Sequence, residues 1–285
     1  MVLDISLLLQ IVELGLIMSF VGLGTFISSY LLHFNDLSIE GSFACGAAIS
    51  VLMAKMGMAP CGQLIASLTA GCLVGLLTST LHFKLGVNKI IAGLLSATAM
   101  FSINLKLVGP HALMPMGLSI FGATSWLGQH HKIITIVIIS ALVLLVVTKL
   151  LRSQLGLLLR ASGDNQVFVR TLGKNAVYYQ ALGLMLANSL GALSGYLFTS
   201  FTGFFSITSS VGVLPIALAG IILSGMSTTS VPYKIIIGSI LYQLTIIICI
   251  GLNMDPSWNR LITAVIVLAL IIVQKTHAKT GDVSL

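Results

Sequence analysis

Long apolar runs recur along the whole chain and restrict the fold more than any other feature of the sequence. Such a run crosses a bilayer as a helix when it has about 20 residues, because a spanning segment must satisfy its backbone hydrogen bonds internally. Runs of this length lie at 7–32, 61–82, 88–108, 132–150, 177–200, 233–252 and 260–274. Shorter runs interrupted by glycine lie at 41–57 and 210–226. The sequence therefore predicts an all-α polytopic transmembrane bundle of roughly nine helices, within about 8–10.

The composition excludes a soluble globular domain. Hydrophobic residues make up 57% of the 285 residues and charged residues only 7%, with a mean hydropathy of +1.09. Soluble domains carry about a quarter charged residues. The start, Met1–Leu32, lacks a basic segment, and its apolar run is long enough to remain as a spanning helix rather than a cleaved signal. We expect one transmembrane domain over residues 1–285.

The basic residues lie between the apolar runs, as they do in the cytoplasmic loops of membrane proteins. If 150–176 is cytoplasmic, alternation of the spans places 83–88, 227–233 and the C-terminus on the same side. The N-terminus is then outside if 41–57 spans fully, and inside if that segment is re-entrant. Basic residues expected inside are Lys84, Lys89, Lys149, Arg152, Arg160, Arg170, Lys174, Lys234, Lys275 and Lys279, against Lys55, Lys106, Lys132 and Arg260 outside. A nucleic-acid partner is not expected, because no basic face has polar surroundings.

Catalytic and metal-binding patterns are weak in this sequence. It contains no HExxH motif, nucleophile elbow or Walker A phosphate loop, and the adjacent His130 and His131 have no evident metal-binding partners. Glu13 is the one carboxylate well inside a long apolar run, so charge-coupled transport has little support. We expect no catalytic residues, no metal and no cofactor in this chain. The cysteines are expected to act as small buried hydrophobes: Cys45, Cys61, Cys72 and Cys249.

Two pairs of glycines, each four residues apart, predict close contacts between helices. Gly71 and Gly75 form one pair, and Gly191 and Gly195 form the other. Small residues at this spacing let helix backbones approach closely in membranes. Packing within one chain is favoured over a seam between two chains.

A polar, basic interruption at about 152–175, here called the coupling segment, separates two predicted spans. Asp164 can cap a short helix and Gly173 can end it. Phe168 and Leu172 are four residues apart and share a face, which is flanked by Arg170. Local physics leaves two alternatives open: docking into a groove on a soluble protein, or a helix lying on the membrane surface.

A family resemblance favours docking. The segment is similar to the cytoplasmic coupling segment of ATP-binding-cassette importer permeases of the branched-chain amino acid and ribose class, closest to an amino-acid (tryptophan-like) subgroup. The sequence differs at Gln166, where proline is common, and at Val169, where a small residue is usual. The resemblance covers roughly residues 8–272. It implies contact with an ATPase through Arg160, Gly163, Asp164, Asn165, Phe168, Arg170, Leu172 and Gly173.

Two further stretches resemble the same family. Asp36–Phe43 is similar to a signature that follows the first long helix, and Ser209–Gly225 is similar to a short glycine-rich helix in the second half. Polar breaks of this kind form binding sites in transporters, although an ordinary turn between helices remains the alternative. The two breaks suggest an inverted repeat with broken helices. The residues expected to line the translocation pathway are Ser38, Glu40, Gly41, Ser42, Asn188 and Gly212.

The resemblance implies a permease subunit of an importer in the bacterial inner membrane, with membrane lipid around it. ATP would be bound by a dimer of cytoplasmic ATPase subunits, and an external solute-binding protein would deliver a small solute. The subgroup suggests that this solute is an amino acid. A permease homodimer is expected. The alternatives are an ion-coupled secondary carrier and an intramembrane enzyme.

Overall fold

The described part of the chain is almost entirely helical. The computed structural model describes residues 5–109, 113–117, 119–124, 131–224, 232–251 and positions 261, 264, 265, 268 and 269. Its α-helices are α1 (Ile5–Thr25), α2 (Ser38–Lys55), α3 (Pro60–Phe83), α4 (Lys89–Val108), α5 (Ile120–Ala123), α6 (His131–Arg152), α7 (Gln154–Asp164), α8 (Gln166–Thr171), α9 (Ala176–Thr202), α10 (Val213–Leu223) and α11 (Tyr233–Gly251).

Five helical spans in this part are long and apolar enough to cross a membrane, which confirms the predicted class. They are Leu7–Leu31, Pro60–Phe83, Lys89–Val108, His131–Arg152 and Ala176–Thr202. The predicted run at 41–57 corresponds to α2, and the run at 233–252 to α11. The predicted span 260–274 lies mostly outside the described residues, as do His130, Gly225 and the C-terminal lysines.

The first long helix does not end in a simple turn. α1 continues as a π-helix over Phe26–Leu31, and residues 32–37, here called the strap, lead from it to α2. Asp36 accepts a hydrogen bond at 2.8 Å from the backbone N–H of Ser38. This N–H group lies at the start of α2, where the helix itself supplies no acceptor. The break therefore precedes Ser38, whereas the sequence placed it across Asp36–Phe43.

The helices alternate between two ends of the bundle. α1 and α6 run in the same direction. Glu13, in the first half of α1, interacts electrostatically with Lys132 in the first turn of α6. Ile27, just after the end of α1, lines a cavity with Val147 in the second half of α6. The first residues of α1 therefore lie at the end opposite to the coupling segment. α2 connects the strap to that far end, as expected if 41–57 spans fully.

α9 lies at the centre of the bundle, and glycines bring its neighbours into backbone contact. A side chain at Gly75 of α3 would collide with the backbone carbonyl of Leu184, and one at Gly195 of α9 would collide with that of Phe43 in α2. Gly71 approaches the backbone carbonyl of Asn188 in the same way, and Gly191 packs less tightly against Ile39 of α2. Both predicted glycine pairs thus serve packing within one chain.

The sequence did not predict the one small β-ribbon that the described residues contain. A short antiparallel ribbon joins β1 (Leu113–Pro115) to β2 (Phe204–Ser206), with Met114 opposite Phe205 at the end of the bundle away from the coupling segment. The predicted run 210–226 corresponds to the short helix α10 (Val213–Leu223), which a 3-10 turn at Ile207–Ser210 precedes. Gly212 has φ +93°, a left-handed conformation that favours glycine, and α10 begins directly after it.

Candidate functional site

The coupling segment forms two helices rather than the single one that the sequence predicted. α7 ends at Asp164 and α8 begins at Gln166, with Asn165 in an extended conformation between them. The side chain of Asn165 caps α8 by accepting from the backbone N–H of Phe168 at 3.0 Å. The predicted cap at Asp164 is therefore wrong by one residue. Gly173 has φ +72° and ends the segment as predicted.

α8 presents an apolar surface away from the bundle. Phe168 and Leu172 are 52% and 53% exposed, and Val167 beside them is 69% exposed. Val169 is fully buried and anchors the helix against the bundle. Arg170 is exposed and flanks the apolar side chains. The predicted shared face of Phe168 and Leu172 therefore exists, and about half of each side chain is exposed.

α7 connects this surface to the first half of the bundle. Gly163 packs closely on the π-helix that follows α1, because a side chain at this position would meet the backbone carbonyl of Leu31. Asp164 Oδ1 lies 2.8 Å from His33 Nε2 in the strap. Arg160 is exposed on the same helix. Asp164 thus contacts the strap instead of capping a helix.

Four polar side chains meet inside the bundle where the strap joins α2; we call them the central polar cluster, formed by Asp36, Ser38, Ser42 and Asn188. Asn188 donates to Asp36 Oδ2 at 2.7 Å and accepts from the hydroxyls of Ser38, at 3.1 Å, and Ser42. Ser38 also donates to Asp36 Oδ1 at 2.6 Å. Each of the four is at most 2% exposed. Both carboxylate oxygens of Asp36 therefore have donors, as a buried carboxylate requires.

A second contact joins the two breaks to each other. Glu40, in the first turn of α2, accepts a hydrogen bond from the backbone N–H of Gly212 at the start of α10. Gly41 packs against Ala97 and Met100 of α4. Gly41 is consequently a packing position, while Glu40 bridges the first and second halves of the chain.

The structure thus brings five of the six predicted pathway residues into two adjoining contacts, and places Gly41 between them and α4. Sequence reasoning underestimated Asp36, which it treated as flanking a break, and it did not single out His33. The available signal for Asp36 was its place in the quoted Asp36–Phe43 stretch. His33 had no sequence signal, because its partner Asp164 is 131 residues away.

Among the described residues, no group of three or more His, Cys, Asp or Glu side chains could hold a metal ion. Cys45 is buried and Cys72 half-buried, as expected of small apolar side chains, whereas Cys61 is exposed.

A multi-pass helical bundle with two breaks and an exposed helical segment at one end is the architecture expected of a membrane permease. The family model for the permease component of branched-chain amino acid transport systems matches residues 7–271. The chain therefore belongs to this family of transport-system permeases, which confirms the predicted class.

Relatives and solved structures agree with the family. The chain is 30% identical over 285 residues to a tyrosine transport system permease protein of Clostridioides difficile (strain R20291), covering 95% of each protein. It is 29% identical over 274 residues to the uncharacterized protein RP368 of Rickettsia prowazekii (strain Madrid E), covering 92% of this chain and 95% of that protein.

Two solved structures share the fold. One is PsaBC from Streptococcus pneumoniae in complex with Fab, with a TM-score of 0.53, 15% identity, and coverage of 92% of this chain and 88% of that one. The other is a metal-chelate type ABC transporter in an inward-facing conformation, with a TM-score of 0.54, 16% identity, and coverage of 93% and 83%. At these identities the likeness concerns the fold alone.

Proposed function

We propose that this chain, as one domain over residues 1–285, forms the solute pathway of an ATP-driven amino-acid importer in the bacterial inner membrane. ATP is bound and hydrolysed by a dimer of separate cytoplasmic ATPase subunits, so this chain itself is not an enzyme and needs no cofactor. The observation that carries the proposal is the exposed apolar surface of α8 in a chain of the permease family.

The proposed docking site uses the physics of that surface. Exposed Phe168 and Leu172 would fill a groove on the ATPase, and Arg170 would pair with acidic residues at its edge. Buried Val169 and the Asn165 cap hold α8 rigid, which lowers the entropy lost on binding. Gly163 and Asp164 would act differently, by fixing α7 to α1 and to the strap.

The proposed orientation follows from charge. Basic residues gather at the end of the bundle that carries the coupling segment, which is typical of the cytoplasmic side. The first residues of α1 and the β-ribbon then face outside. The basic residues at the cytoplasmic end of their helices or in the coupling segment are Lys84, Lys89, Lys149, Arg152, Arg160, Arg170 and Lys174.

The proposed pathway runs beside the two breaks, past Ser38, Glu40, Ser42, Asn188 and Gly212, while Gly41 packs α2 against α4. ATP binding would close the ATPase pair, displace the coupling segment and shift the packing at the breaks, so that the pathway opens to the other side. The substrate class rests on the tyrosine transport relative, at 30% identity over nearly the full chain. An external solute-binding protein would select the amino acid, and a second copy of this chain would complete the pathway.

Affinity purification of the tagged chain in mild detergent, followed by mass spectrometry, tests the proposal. We expect a Walker A-containing ATPase in near-equal amount. The double variant Phe168→Ala with Arg170→Glu should lose the co-purifying ATPase. The control variant Tyr178→Ala should retain the ATPase, because it removes a ring that is 57% exposed but lies outside the coupling segment. A preparation free of any ATPase, under conditions that keep a known permease complex together, would instead favour an ion-coupled carrier.

A further inference from the structure

The strap, residues 32–37, connects the coupling segment to the central polar cluster. We propose that His33 is a positioning residue for transport, which passes movement of the coupling segment to the cluster through the strap. This inference rests on the proposed function, because it requires an ATPase that moves the coupling segment.

The side chain of His33 provides the contact with the coupling segment. Its Nε2 atom lies 2.8 Å from Asp164 Oδ1, and the two side chains are 56% and 57% exposed. Exposed pairs of this type contribute little to stability. The contact can therefore form and break within a transport cycle at small cost, which a buried pair could not do.

The backbone of His33 is held in an unusual conformation. Its φ of +49° makes it the one non-glycine residue with a positive φ in the part of the chain that the structure describes. This conformation is unfavourable for a residue with a side chain, and surrounding contacts must maintain it. The carbonyl of His33 accepts a hydrogen bond at 3.0 Å from Lys89 Nζ at the start of α4. The ring and the carbonyl thus tie the strap to two different elements.

The other end of the strap is fixed inside the bundle. Asp36 binds Asn188 of α9 and the start of α2, and Phe34 packs edge-on against His82 of α3 with ring centroids 5.3 Å apart. Only Phe34 and Asn35 lie between His33 and Asp36, so the Cα atoms of His33 and Asp36 are at most about 11 Å apart even in an extended chain. A displacement of Asp164 therefore has a short covalent route to the carboxylate that organises the cluster.

A nucleotide-dependent spectroscopic signal tests this role without requiring the solute. A spin label is attached to Asn35→Cys, an exposed position of the strap, in a background without the native cysteines. The label is observed in the purified complex with its co-purifying ATPase, before and after trapping with ATP and vanadate. We expect the spectrum to change on trapping when His33 is present.

His33→Gly isolates the ring, because glycine adopts the left-handed backbone without strain. We expect the nucleotide-dependent change to fall about fivefold, which corresponds to the loss of one exposed side-chain contact, while the ATPase stays bound. The exchange of His33→Asp with Asp164→His should restore the signal. Tyr178→Ala should leave the signal unchanged. If His33→Gly yields no folded complex, Asp164→Ala carries the same expectation from the other partner.

The outcomes separate this inference from the proposed function. A reduced signal that the exchanged pair restores supports the role of His33. An unchanged signal in His33→Gly, or loss of the ATPase from that variant, overturns it, since His33 would then be idle or part of the docking surface. Absence of an ATPase from the unaltered chain refutes the proposed function before any variant of His33 is made.

Discussion

Asn188 offers the sharpest test of how the bundle is organised, because one side chain joins two helices through a buried carboxylate. Its amide group donates to Asp36 Oδ2 at 2.7 Å and to the carbonyl of Leu184 at 3.0 Å. In Asn188→Ala, Asp36 Oδ2 loses its donor inside the bundle. Ser38 keeps its bond to Asp36 and Ser42 keeps its bond to the Ser38 carbonyl, so these hydroxyls add little to the cost.

The magnitude follows from the lost bond. A hydrogen bond to a charged group contributes about 1.5 to 3 kcal/mol, and a buried acceptor left without a donor costs at the upper end of this range. We therefore expect Asn188→Ala to lower the free energy of unfolding by ~3 kcal/mol. At about 2 °C per kcal/mol for a chain of this size, Tm falls by ~6 °C.

Thermal unfolding in detergent, followed by tryptophan fluorescence and by loss of monodisperse protein, measures the effect. The matched control is Ser189→Ala on the same helix. It removes a half-buried hydroxyl that hydrogen-bonds the carbonyls of Leu68 and Met185, and it should lower the free energy of unfolding by only about 1 kcal/mol. The double variant Asp36→Ala with Asn188→Ala should lose less than the sum of its single variants. Equal shifts of Tm for Asn188→Ala and Ser189→Ala would refute the reasoning.

Three further predictions concern packing, docking and orientation. Gly195→Ala should abolish monodisperse protein on size-exclusion chromatography, because the added methyl group collides with a backbone carbonyl of α2. The control Gly62→Ala should behave as the unaltered chain, because its methyl group would meet only the flexible side chain of Met58, at 3.4 Å. Phe168→Ala with Arg170→Glu should reduce ATPase co-purification at least tenfold, about 1.4 kcal/mol of binding, with an unchanged Tm; a parallel fall in Tm would indicate damage to the bundle instead. A cysteine placed at Lys174 in a cysteine-free background should react with an impermeant maleimide only after the cytoplasmic side is opened, and labelling of intact cells would invert the proposed orientation.

Local patterns were sufficient for the class of protein and for most of its helices. α3, α4, α6 and α9 lie within a few residues of the apolar runs that predicted them, because a helix in lipid needs no partner to satisfy its backbone. Gly173 ends α8 as predicted, since a left-handed residue at a helix end is a local requirement.

The sequence misplaced one helix cap and missed the β-ribbon, because the local sequence does not decide either feature. The cap of α8 fell to Asn165 instead of Asp164 because two adjacent residues can both accept from the first turn, and only the path of the chain selects one. The small β-ribbon pairs residues 91 positions apart at its centre, Met114 and Phe205, and strands of three residues are too short to show an alternating pattern.

The sequence by itself determined that this chain is a membrane permease with a polar segment between two spans, because hydropathy and short family motifs depend on residues close together in the chain. Only the tertiary structure decided the partners of Asp36 and Asp164. Asn188 reaches Asp36 across 152 residues, and His33 reaches Asp164 across 131. A polar side chain inside an apolar bundle requires a partner, but the sequence does not say which helix supplies it.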